Sequence, residues 1–168
     1  EAVRCSSSYL LAPDLTLTGS AGMYYQLPSY VWLISNPSNT HLNFIRMNLF
    51  ALGLERLISE DWRLTLEGYL KYYADYPADV YRPYLVQANT GAGFDYGFAD
   101  GFASFGFDPL VSQATGHARG IELLLQKNAS GTPYYGLMSV SLGEVRFSAL
   151  DGIERPGAFD QRLVANLV

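Results

Sequence analysis

Charge is scarce in this sequence. Only 16% of its 168 residues are Asp, Glu, Lys or Arg, where about a quarter is usual. The net charge is -5, and no basic patch is present to neutralise phosphates, which argues against a nucleic-acid partner. Cysteine is nearly missing: Cys5 stands alone, cannot close an internal disulfide, and reads as a small apolar strand residue. No run of about 18 apolar residues occurs, so no membrane-spanning helix is expected. The opening "EAVRCSSSYLL" has neither the basic start nor the apolar run of a signal peptide. Amphipathic helical patterning is absent too, so no such helix is expected anywhere.

What is plentiful is apolar and aromatic: 49% of the residues are hydrophobic, with 13 Tyr, 9 Phe and 2 Trp. They recur with period two. In "WRLTLEGYLKYY", Trp62, Leu64, Leu66, Gly68, Leu70 and Tyr72 alternate with Arg63, Thr65, Glu67, Tyr69, Lys71 and Tyr73. Trp62, Leu66, Tyr69 and Tyr73 also fit a helical spacing, but the neighbouring segments decide for strand. "LTLTGSAGMYY" alternates almost strictly, and its glycines and threonines make a poor helix. "VRCSSSYLL", "FALGLERL", "ARGIELLLQK", "YYGLMSVSL" and "QRLVANLV" behave alike, which makes seven strands of about 10 to 14 residues. Short turns ("APD", "SED", "NASGTP") alternate with long connections at 26–43, about 75–116 and 148–160.

In an up-and-down sheet, that alternation puts all short turns at one end and all long loops at the other, as in bacterial outer-membrane barrels. The expected fold is therefore all-β: an antiparallel up-and-down transmembrane β-barrel segment, incomplete as a barrel, with short periplasmic turns and long extracellular loops. Residues 1–168 form part of one such domain. The oily face is expected to meet lipid, and Glu55, Arg63, Glu67, Lys71 and Glu122 to point into the lumen. Tyr24, Tyr25, Tyr72, Tyr73 and Tyr76 on the loop side, with Trp62, Tyr134 and Tyr135 on the turn side, fit two interfacial aromatic belts.

Taken in order, "AGMYYQLPSYVWL", "LGLERLISEDWRLTLEGYLKYYADYP", "YLVQANTGAGF", "ARGIELLLQKN" and "ERPGAFDQRLVANLV" resemble the C-terminal half of a TonB-dependent outer-membrane receptor barrel. The resemblance runs from Ser8 to Val168. It implies a 22-stranded barrel around a plug domain and a place in the bacterial outer membrane. It also implies uptake of a nutrient such as an iron chelate, cobalamin or a glycan, driven by an inner-membrane energy-transducing complex that pulls on an N-terminal box. Lumen residues would then contact the plug or line the path. The plug, that box and a closing aromatic strand are absent from this sequence, so the chain is expected to be a piece of a longer receptor.

No cofactor or catalytic centre is expected. Ser6, Ser7 and Ser8 lack a nucleophile elbow or nearby base, and His41 and His117 lack companion ligands for a metal. Ligand-binding candidates lie on the long loops: Tyr30 and Trp32; Tyr81, Arg82 and Tyr84; and Phe94, Tyr96 and Phe98 in the Gly- and Phe-rich stretch 89–110. Loop aromatics of this kind either stack on a ligand or pack on one another, and Arg82 could meet an anion. The other reading of the whole chain is a self-contained soluble or surface binding module, a β-sandwich or small barrel. The two differ in whether Leu64, Leu66, Leu123 and Leu125 splay outward or converge on a shared interior.

Overall fold

The computed structural model describes residues 2–89, 107–129, 132–158 and 160–168. Strands β1 (Arg4–Ala12), β2 (Leu15–Gln26), β3 (Ile45–Leu57), β4 (Trp62–Asp79), β5 (Leu110–Lys127) and β6 (Gly136–Ser148) run antiparallel in chain order. β7 (Glu154–Pro156) and β8 (Leu163–Leu167) both pair with β6, one beyond the other. They fill a single seventh place in two pieces. Across the gap, Gly157 N–H donates to Val145 O at 2.8 Å, and Val145 N–H donates to the Asp160 carboxylate at 2.9 Å. The sheet is open: the strands at its two edges, β1 on one side and β7 with β8 on the other, do not pair with each other. It is an all-β, up-and-down, incomplete barrel.

The period-two segments form strands as expected, and three details differ. β4 and β5 each reach 18 residues, so the connection between them shrinks to 80–109. Pro77 marks the reason. Proline has no N–H for a ladder and normally ends a strand reading. Here β3 pairs no further than Ala74, so β4 beyond it has one side free of β3. A bulge around Asp75 (φ 60°) shifts the register before Pro77, and Asp tolerates that left-handed backbone better than most residues. Second, a helix, α1 (Tyr30–Ser35), stands in the 26–43 connection where none was expected; six residues are too few to show a helical period. Third, the expected 148–160 loop contains β7.

Cross-strand pairing sets the faces. One row runs Ser7, Gly19, Leu52, Gly68, Ile121, Leu142 and Leu163, and the next on that face runs Tyr9, Leu17, Leu54, Leu66, Leu123, Val140 and Ala165. Between them, on the opposite face, lie Ser8, Thr18, Gly53, Glu67, Glu122, Ser141 and Val164. The apolar face is open: Leu52 is 61% exposed, Ile121 56% and Leu142 54%. Leu64, Leu66, Leu123 and Leu125 share this face and converge on no common interior among the described residues.

The dry core lies at the loop end. Phe147 packs against Tyr73 and Tyr76, with ring centroids 5.5 and 5.3 Å away, and Ala78, Val86, Ala114 and Ala149 complete the cluster. Tyr73 and Tyr76 therefore belong to this core and not to an outward belt, because a large ring at a bulge is covered by the returning chain at Val86. Tyr25 and Tyr72 do stand exposed on the apolar face. Phe147 also lies directly over Gly116, whose missing side chain leaves its ring room. Phe147→Ala should cost about 3–5 kcal/mol, read as a shift in the urea midpoint of the folded chain.

Candidate functional site

The long connections meet at one end of the sheet, where short polar side chains fasten them. Asn39, fully buried in the 3-10 helix Pro37–His41, is the centre. Its Nδ2 donates to Trp32 O at 3.0 Å and Asp108 O at 3.3 Å, and its Oδ1 accepts from Leu110 N–H at 2.8 Å. Asn36 Nδ2 donates to Phe107 O at 2.8 Å, and Asn43 N–H donates to Ser112 Oγ at 2.9 Å. The β2–β3 connection is thereby tied to the start of β5. The segment after β4 folds back through the Ala78–Val86 bridge and a bond from Asp79 N–H to Leu85 O at 3.1 Å. The β6–β7 turn joins through Asp151 N–H to Pro83 O at 3.0 Å. In that turn Arg155 grips Asp151 through two bonds, at 3.0 and 2.6 Å, and holds its carboxyl below the usual range.

The expected ligand residues fall around this assembly. Tyr30 and Trp32 lie on α1; Tyr30 is 72% exposed, Tyr81 is 71% exposed, and Tyr84 is exposed as well. Arg82 sits 3.7 Å from Asp108 Oδ2, so an anion at Arg82 would compete with that carboxylate. Trp32 and Arg82 are linked through two residues: Asn39 holds Trp32 O and Asp108 O, and Arg82 faces the Asp108 carboxylate. Phe94, Tyr96 and Phe98 lie outside the described residues. Asn39, Asp79 and Phe147 carry no signal in the sequence: one of several Asn among loop polars, an Asp two places after a proline and a Phe in a strand look ordinary.

Glu55, Arg63, Glu67, Lys71 and Glu122 share one face by register. Arg63 lies 3.7 Å from Glu55, and the Lys71 ammonium lies 4.8 Å from the centre of the Tyr69 ring. Glu67 stands directly opposite Glu122, and no ion pair engages either among the described residues. Like charges so placed repel. His117 Nδ1 lies 3.8 Å from Glu154, while His41 is exposed in the 3-10 helix.

A depression of about 970 Å³ lies elsewhere. It is an open groove across the apolar face between the Leu52–Ile121 row and the Phe50–Leu70 row, floored by backbone. Its charged members are engaged: Arg119 Nε donates to Glu144 at 2.7 Å, and Arg162 lies 3.6 Å from Asp160. Among the described residues it brings no polar groups together to orient a small molecule, and we place the candidate site at the loop end.

At the other end Lys127, nearly buried, is held by Thr132 Oγ1 at 2.9 Å, Asp61 at 3.8 Å and the rings of Tyr134 and Trp62 at 4.7 and 5.7 Å. It joins two short turns.

Comparison with protein-family models and with curated proteins finds no match.

Asn39→Ala should leave the buried Leu110 N–H without its acceptor, at a cost of about 1–3 kcal/mol. Hydrogen exchange at Leu110 should accelerate about tenfold or more while amides in β1–β3 stay unchanged.

Proposed function

We propose that this chain is part of the β-barrel wall of a TonB-dependent receptor in a bacterial outer membrane. In this reading it works with a plug domain and an inner-membrane energy-transducing complex, and it captures a nutrient such as an iron chelate, cobalamin or a glycan at the loop end. The observation that carries the reading is the open apolar face opposite a polar one. A sheet face with Leu, Ile and Phe in successive rows needs an apolar medium, and lipid outside a barrel supplies one.

The stripe's outline supports this. From Trp62 to Tyr72 it spans ten residues, roughly 33 Å along the strand, or about 25 Å of membrane height once tilted by roughly 40°. Its loop-side edge also slants. On β2 it reaches Tyr25, in the row of Ala74; on β6 it stops at Leu142, in the row of Gly68, with Glu144 above. Six residues of drop over four strands is roughly 20 Å against roughly 19 Å, a slope near the tilt of transmembrane strands. β3 departs from this line, with Asn48 and Arg46 above Phe50. Trp62 and Tyr134 around Lys127 fit the turn-side interface, where a lysine reaches toward headgroups. The Glu67–Glu122 pair fits a lumen wall awaiting a basic group from a plug.

Leu52→Arg and Leu123→Arg, at mid-height of the stripe, test the reading. In phospholipid vesicles each should cost about 2–4 kcal/mol by urea titration, with Ser20→Arg on the polar face near neutral. On a water-facing surface both would stay within about 0.5 kcal/mol. That outcome, with folding in lipid-free buffer, would replace the receptor wall with a soluble binding module.

A further inference from the structure

We propose that residues 80–88 form a flap over the loop-end core, latched by Asp79 and tightest in mild acid. Asp79 is fully buried at the end of β4, beyond the apolar stripe. Its Oδ1 accepts from Tyr81 N–H at 2.8 Å and Arg82 N–H at 3.0 Å, which bends the chain back. Leu85 N–H closes on Arg82 O at 2.8 Å, and Val86 seals Phe147 and Ala78 beneath. The flap carries Tyr81, Arg82 and Tyr84, so its position sets where those side chains stand.

The latch is incomplete. Asp79 Oδ2 and Arg82 Nη1 are both buried without a hydrogen-bond partner among the described residues. A buried carboxylate with one unmatched oxygen is costly, and opening the flap would return it to water. The charges acting on Asp79 are Arg82 on the flap and Asp108 ahead of β5. Asp75 on its own strand lies with Arg46, and Asp151 on the adjoining turn is held by Arg155.

Burial pushes the Asp79 carboxyl above the usual carboxylate range; its two backbone bonds and Arg82 pull the other way, and Asp108 adds to the rise. Its contribution to closure is therefore fully present below the ordinary carboxyl pKa and is lost as pH rises through the raised value. Asp151 has the opposite sign: Arg155 lowers its pKa, so its contribution holds above the ordinary value and fades as pH falls through the lowered one. Closure is best between the two, in mild acid.

Hydrogen exchange of the Tyr81 and Arg82 amides in the micelle-folded chain, corrected for intrinsic rates at each pH, tests this. Protection should be highest at about pH 4 and fall progressively as pH rises to about pH 8, as the buried carboxyl loses its proton. Asp79→Asn keeps an acceptor at Oδ1 and should hold the acid level at both. Asp79→Ala should be unprotected at both. Asp108→Asn should retain the fall. A flat wild-type profile, a fall that persists in Asp79→Asn, or one that vanishes in Asp108→Asn would overturn the latch.

Discussion

A single β-sheet satisfies its backbone within the ladder and leaves its side chains to find their own surroundings. Here the register carries β1 to β6 without interruption, apart from bulges at the ends of β1 and β4. No second layer lies over the leucine-rich face among the described residues. The fold is thus paired through its inner strands, open at its two edges and incomplete in burial. That imbalance governs everything else in the molecule. The long strands β4 and β5 run past the apolar stripe, and the main dry cluster sits where a connection folds back onto the sheet.

That cluster explains how an open sheet orders its loop end. Tyr73, Tyr76 and Phe147 come from strands two places apart, β4 and β6, and meet across Gly116 of β5. Val86 closes them from the returning chain. The connections are then joined to one another mainly by side-chain amides and carboxylates gripping backbone groups, with Asn36, Asn39 and Asp79 as the fasteners. Such bonds hold geometry well but contribute only about 1 kcal/mol each. The loop end is therefore a place where one titrating group can change local order without disturbing the ladder below.

How far the sequence disclosed this depends on the length of the signal. Alternation over eight or more residues, as in "LTLTGSAGMYY", locates strands and assigns faces, because a shift of one residue would expose every wrong side chain. The face of Glu55, Arg63, Glu67, Lys71 and Glu122 was legible for that reason. α1 was not, since less than two turns show no period. Nor was the end of β4: Pro77 argues for a turn on local grounds, and only the end of β3's pairing at Ala74 makes it acceptable in a strand. The loop end was half legible. Aromatics such as Tyr30 and Tyr81 attract notice by their composition. Asn39 acts through contacts some 70 positions away, and nothing local marks it.

The two faces of the sheet lack different things. The apolar face lacks a medium without water. The polar face places Glu67 against Glu122 with no cation engaging either among the described residues, a repulsion a sheet does not need. A second sheet packed on the leucines, as in a sandwich, would supply the first and leave the carboxylates as they are. A barrel wall with hydrocarbon outside and a plug carrying basic groups inside supplies both at once. The receptor reading therefore draws on two independent deficits, one on each side of a sheet about 10 Å thick with its side chains, and the soluble alternative accounts for only one of them.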